Sequence, residues 1–202
     1  MGFLVRFLFC LACFATGLLI APDASSQAYV GGGIGRSNAT GPGGTLFGSD
    51  DSATSYKIYG GYQFTSRWGF EAGYNDLGRL SADPCVFVCP SSTTASFKLR
   101  NWYAAGTVNW TFGQLMILLK LGAARNQTSG AVVCSPTCSP GGNEGRTQAF
   151  GGAGLEYPVW RKLAARLEYE YYGKVTRDDP FGFGSSGAVT ASSWSLSLKH
   201  AF

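Results

Sequence analysis

Charge is what this sequence has least of: Asp, Glu, Lys and Arg make up 14% of its 202 residues, against about 25% in soluble domains. The formal net charge of +4 is too small and too dispersed for a nucleic-acid partner, which needs a concentrated basic face. There is one histidine, His200, so histidine metal motifs are excluded and a Ser-His-acid relay has a single candidate base. Phosphate-binding loops and dinucleotide fingerprints are missing as well. Long apolar runs are almost missing: the one unbroken stretch, Phe7 to Ala21, falls short of the ~20 residues of a spanning helix. Nothing later in the chain comes near that length.

That stretch follows Arg6 and leads to Pro22 and the small residues Ser25-Ser26-Gln27-Ala28, the pattern of a secretory signal. Residues 1–28 are therefore read as removed and 29–202 as one domain. A lipoprotein-type cut at Cys13 would fall inside the apolar run and is rejected. Export takes the chain into an oxidising compartment. Cys10 and Cys13 leave with the signal, and the remaining pairs, Cys85 with Cys89 and Cys134 with Cys138, become disulfide candidates with all three connectivities open. Paired cysteines also bind zinc in reducing compartments, but export favours oxidation. Neither a metal nor a cofactor is expected.

What the mature part has in abundance is glycine, aromatic residues and alternation. From Ser55 onward apolar and polar residues alternate with period two, broken by connections that are short and long in turn. Strand one is glycine-rich, Tyr29 to Gly35, with a polar loop over about residues 38–54. In the second strand Tyr56, Ile58, Tyr62 and Phe64 share a face against Lys57 and Gln63. In the third, Trp68, Phe70, Ala72 and Tyr74 oppose Glu71, Gly73 and Asn75. A loop over about 78–95 holds the first cysteine pair. The fourth strand sets Trp102, Ala104, Val108, Trp110 and Phe112 against Asn101, Tyr103, Thr107 and Asn109, and turns at Gly113-Gln114. The fifth sets Leu115, Ile117, Leu119 and Leu121 against Lys120. After a loop over about 127–146, the sixth sets Ala149, Ala153, Leu155 and Tyr157 against Gln148 and Glu156 and ends at Pro158. The seventh sets Leu163, Ala165, Leu167, Tyr169 and Tyr171 against Arg166, Glu168 and Glu170. Beyond a loop over about 174–188, the last strand, Val189 to Phe202, sets Trp194, Leu196, Leu198 and Phe202 against serines and Lys199.

In a soluble sandwich the polar faces would simply be wet. Aromatic residues instead gather at both strand ends: Phe64, Trp68, Trp110, Phe112, Tyr157, Trp160 and Phe202 near the short turns, and Tyr56, Tyr74, Trp102, Tyr171 and Trp194 toward the long loops. Bilayer interfaces select two such belts. The fold class is thus all-β: an eight-stranded antiparallel up-and-down transmembrane β-barrel with short periplasmic turns and four longer external loops.

The stretch Gly61-Tyr-Gln-Phe-Thr-Ser-Arg-Trp-Gly-Phe-Glu-Ala-Gly-Tyr-Asn-Asp-Leu-Gly-Arg79 is similar to a hairpin of OmpA-type outer-membrane barrels. So are Gly154-Leu-Glu-Tyr157, the Leu163 to Tyr171 strand and the closing Leu196-Ser-Leu-Lys-His-Ala-Phe202. The resemblance implies a lumenal salt-bridge plug of Glu71, Lys120, Glu156 and Arg166; strand parity adds Lys57, Glu168 and Glu170 as further lumenal charges. It implies an assembly signal in Trp194, Leu196, Leu198 and Phe202, read by the barrel-assembly machinery, although His200 stands where the family usually has an aromatic. Cell-wall tethering, which the family owes to a periplasmic peptidoglycan-binding domain, is not carried over as an expectation.

The expected function is that of an outer-membrane structural or surface barrel, a monomer whose loops meet host or phage ligands and whose wall meets lipid and lipopolysaccharide. Lys98 and Arg100, outward beyond Trp102, are placed for lipopolysaccharide phosphates. A small pore is the alternative, opposed by a lumen narrow enough for side chains to fill. A lipid A-modifying enzyme is the second alternative; His200, on the lipid-facing parity, has no readable triad setting. Asn38, Asn109 and Asn126 stand in Asn-x-Thr sequons read as chance.

Overall fold

A strand carries alternate side chains on opposite faces, and a set of such strands can satisfy its backbone in hydrocarbon only by closing on itself. A computed structural model of the protein describes residues 27–40, 52–82, 94–133, 143–175 and 189–202. These form eight strands: β1 (Gln27–Thr40), β2 (Ser52–Gln63), β3 (Trp68–Ala82), β4 (Thr94–Phe112), β5 (Leu115–Val133), β6 (Asn143–Trp160), β7 (Leu163–Lys174) and β8 (Thr190–Ala201). They pair antiparallel in sequence order into a closed barrel.

The seam is β1 against β8, running from Tyr29 opposite Ala201 to Thr40 opposite Thr190. The Phe202 amide donates to the Ala28 carbonyl at 3.0 Å, and Gln27 Nε2 donates to the Phe202 carbonyl at 3.0 Å. Close approach here depends on glycine, since a Cβ on Gly35 would lie 2.0 Å from the Trp194 carbonyl oxygen. The short connections after β2, β4 and β6 sit at the same end of the barrel as Gln27 and Phe202. In the two-residue turn after β4, Gly113 adopts φ 62°, which L side chains avoid.

Burial is inside out for a protein in water. Leu121 is 76% exposed and Ile58 63%, whereas Glu71 is 0% and Lys120 1% exposed. A soluble monomer does not present so wide an apolar belt; a bilayer requires it. The aromatic belts frame this wall, with Trp68, Phe112, Trp160 and Phe202 exposed near the short turns and Tyr56, Trp102, Tyr171 and Trp194 exposed toward the other end. Tyr74 packs on Trp102 with ring centres 4.7 Å apart.

The strands outrun the alternation that announced them. β1 continues past Gly35 to Thr40, β3 runs to Ala82 and β4 begins at Thr94, while β5 ends at Val133 and β6 begins at Asn143. The expected loops over 38–54, 78–95 and 127–146 are shorter accordingly. Beyond the hydrocarbon both faces of a strand are wet, so hydrogen bonding continues where the hydrophobic pattern stops. Two bulges blur the pattern further, between Asp76 and Arg79 and between Tyr171 and Lys174. Gly78 in the first has φ 83° and donates its amide to Asp76 Oδ1 at 3.0 Å. Pro158 does not end β6: it pairs with Ala164 beside a register shift and the strand reaches Trp160, because a bulge tolerates the missing donor. Residues 1–26 of the expected signal, and the candidate cysteines Cys85, Cys89, Cys134 and Cys138, lie outside the described residues.

Candidate functional site

The lumen is built on glycine. Across the strand pairs Tyr29 faces Gly61, Tyr59 faces Gly31 and Tyr103 faces Gly73. Each ring fills the place of the missing side chain, so that a Cβ on Gly31 would lie 2.3 Å from the Tyr59 ring and one on Gly61 2.3 Å from the Tyr29 ring. Glu168 and Glu170 lie likewise across Gly154 and Gly152. Rings pressed flat against the wall leave the barrel axis to charged side chains.

Those charges form one connected network. Glu71 Oε1 accepts from Lys120 Nζ at 2.5 Å and from the Tyr103 hydroxyl at 2.7 Å. Its Oε2 accepts from Arg166 Nη1 at 2.6 Å and from the Tyr29 hydroxyl at 3.1 Å. Arg166 donates through Nε to Glu156 Oε2 at 2.9 Å, and Glu156 also pairs with Lys199. Lys57 bridges Glu168 and Glu170 at 2.6 Å each, and Lys120 pairs with both of them. The network is neutral: Lys57, Lys120, Arg166 and Lys199 stand against Glu71, Glu156, Glu168 and Glu170. Neutrality matters because an unmatched charge away from water costs several kcal/mol. Tyr59 adds its ring face, with the Arg166 guanidinium 4.9 Å from its centre and Lys57 Nζ 5.0 Å. Carboxylate oxygens of Glu71, Glu168 and Glu170 lie within 4.8 Å of one another, a spacing that would suit a metal ion, but Lys57 and Lys120 already supply the positive charge among them.

Toward the long-loop end the lumen turns apolar. Tyr103, Phe150 and Tyr172 stack with ring centres 4.7 and 5.6 Å apart. Beyond them Leu77, Leu99, Val175 and Val189 are buried together with Ala39 and Ala191. The Tyr172 hydroxyl joins the two layers by donating to Glu170 Oε2 at 2.8 Å.

The fold thus brings together all four residues of the expected set, Glu71, Lys120, Glu156 and Arg166, and links Lys57, Glu168 and Glu170 to them. Sequence reasoning placed Tyr103 and Lys199 on inward faces without joining them to the plug, and left out Tyr29, Tyr59 and Tyr172, although their parity with neighbouring lumenal residues was visible. It also left out the apolar layer, since Leu77 and Val175 lie beside bulges that disturb the period. Trp194, Leu196, Leu198 and Phe202 lie on the outer wall. His200 packs edge-on against Phe202, ring centres 5.2 Å apart, at the short-turn end. Asn38, Asn109 and Asn126 stand within β1, β4 and β5. Lys98 and Arg100 are on the outer face, paired with Asp76 at 2.9 and 3.7 Å.

A closed eight-stranded barrel with an apolar exterior and a charged interior defines a transmembrane β-barrel of the outer membrane. The chain belongs to the outer membrane protein beta-barrel domain family, whose model matches residues 7–202. It shares the eight-stranded OmpA-like fold with Ail, the attachment invasion locus protein of Yersinia pestis, solved in complex with the heparin analogue sucrose octasulfate (15% identity, 89% of this chain and 100% of that one, TM-score 0.56). Neisserial surface protein A has the same fold (19% identity, 87% and 97% covered, TM-score 0.57), as does OprG from Pseudomonas aeruginosa (12% identity, 88% and 96% covered, TM-score 0.61). No curated protein matches the chain.

Proposed function

We propose that this protein is a surface barrel with a sealed lumen, which acts through its external loops and outer wall. The observation that supports this is the pair of stacked closures: a neutral network centred on Glu71, and the Leu77, Leu99, Val175 and Val189 layer beyond it. A hydrated ion would have to break several charge-assisted bonds and then cross an apolar constriction, and each barrier alone opposes conduction. In this reading the long-loop end faces outward, both termini are periplasmic, residues 1–28 are the export signal, whose last two residues, Gln27 and Ala28, stand at the start of β1 in the uncleaved chain, and the outward Trp194, Leu196, Leu198 and Phe202 present the assembly signal. The chain is read as a non-enzyme, since His200 faces the lipid side beside Phe202, away from the lumenal serines.

Planar-bilayer recording tests the seal. Wild-type protein is expected to carry no steady current. Glu71→Ala removes only one closure and should give at most brief openings, whereas Glu71→Ala combined with Leu99→Ser should conduct. Steady wild-type current would overturn the sealed reading in favour of a small pore. That second reading draws on buried polar atoms without a protein partner on both sides of the network, Asn101 Nδ2 and Asn126 Oδ1 on one side and Thr107 Oγ1 and Asn109 Oδ1 on the other, which offer hydrogen bonds to water.

A further inference from the structure

The outer wall carries a second feature that the lumen does not explain. Directly paired small residues, Gly60 opposite Ala72 and Ala72 opposite Ala104, thin the wall between bulkier side chains. They leave a lipid-facing groove of about 480 Å³ bounded by Val30, Ile58, Tyr74 and Trp102. Its loop-side rim is basic. Along β4 the outward residues preceding Trp102 are Arg100 and Lys98; Arg125 on β5 stands directly opposite Trp102, and Arg79 on β3 directly opposite Lys98. Like charges directly opposite one another destabilise a sheet. Only one carboxylate among the described residues answers these four cations: Asp76, 2.9 Å from Lys98 and 3.7 Å from Arg100. Arg79 and Arg125 make no ion pair among the described residues and are exposed.

We infer that this face is a binding site for a phosphorylated glycolipid of the outer leaflet, its phosphates held by Arg79, Lys98, Arg100 and Arg125 and an acyl chain laid in the groove below Trp102. The chemistry fits at both ends. Guanidinium and ammonium groups bind phosphate through short charge-assisted bonds, and the excess of positive charge stands at the aromatic belt, where lipid headgroups lie. The groove continues from that belt into the apolar wall, so one amphiphile spans both. This assignment rests on the outward orientation of the long loops proposed above.

Native mass spectrometry of the protein in zwitterionic micelles, with bis-phosphorylated lipid A, dephosphorylated lipid A and phosphatidylglycerol as probes, tests the site. Wild-type protein should retain the bis-phosphorylated form about tenfold or more above the other two. Arg100→Gln with Arg125→Gln should abolish that preference. Gly60→Leu, which fills the groove, should weaken both forms of lipid A equally. Arg36→Gln, a charge change on the outer face of β1, should alter nothing. Equal retention of all three lipids by wild-type protein, or an equal loss from Arg36→Gln, overturns the site. Heat-modifiable gel mobility verifies folding, and if a variant does not fold, displacement of lipid A from wild-type protein by pyrophosphate decides instead: no displacement overturns the site. Orientation is read separately, by accessibility of a tag placed at residue 45 or 180 in intact cells, so that an inward loop end and a failed lipid site give different results.

Discussion

Glu71 holds the interior together, because each of its oxygens answers one cation and one tyrosine. Removing it leaves Arg166 and Lys120 short of a partner in a space that water reaches poorly. Breaking a buried pair from one side typically costs about 3–5 kcal/mol, so Glu71→Ala should lower stability by that order in urea unfolding from micelles. Tyr103→Phe is a finer probe. It keeps the ring over Gly73 and removes only the 2.7 Å bond to Glu71, for which a loss of about 1.5–3 kcal/mol is expected. Gly73→Ala works from the opposite side, since its Cβ would stand 2.6 Å from the Tyr103 ring and displace the hydroxyl from Glu71. Equal stability of Tyr103→Phe and wild-type protein would show that the tyrosine is only filler.

At the scale of the element, two glycines of similar appearance have different work. Gly113 sits in the β4–β5 turn at φ 62°, and a Cβ there would meet nothing within 4 Å. Gly113→Ala therefore incurs only the left-handed backbone cost of about 1–2 kcal/mol. Gly35 has ordinary backbone but faces the Trp194 carbonyl across the β1–β8 seam, where a Cβ would come to 2.0 Å. Gly35→Ala should disturb closure itself, and closure is what removes unpaired strand edges from lipid. The expected result is a marked fall in the folded, heat-modifiable fraction on refolding into vesicles for Gly35→Ala and a near-normal fraction for Gly113→Ala. Comparable yields for the two would show that the seam has slack.

For the whole molecule, the decisive property is the reversal of inside and outside. Leu121 lies in the middle of the apolar wall on β5, whereas Trp160 lies in the belt beside the β6–β7 turn, and both are strongly exposed. A bilayer distinguishes them where water would not. Arg at mid-wall costs about 2–4 kcal/mol and near the interface about 0–1. Leu121→Arg should thus destabilise the barrel in vesicles by that larger amount and Trp160→Arg by much less in charge cost, as measured by reversible urea titration. Equal penalties would place the hydrocarbon elsewhere on the wall.

Much of this was legible in one dimension. Period-two alternation from Ser55 onward, connections short and long by turns, and aromatic residues at both strand ends identified the barrel, its strand number and the parity of Glu71, Lys120, Glu156 and Arg166, because a strand in a bilayer has no other way to arrange lipid-facing and lumen-facing side chains. The same reasoning stopped where the membrane stops: β1 beyond Gly35 and β3 beyond Asp76 keep their hydrogen bonds without keeping the pattern. Parity assigns a face but not a partner. That Lys199 meets Glu156, that Tyr103 reaches Glu71 across Gly73, and that Leu77 and Val175 are buried together toward the loop side depend on the register around the closed sheet, which alone determines what meets across the lumen. Sequence by itself determined which residues face inward; only the tertiary structure decided that the inward charges cancel one another.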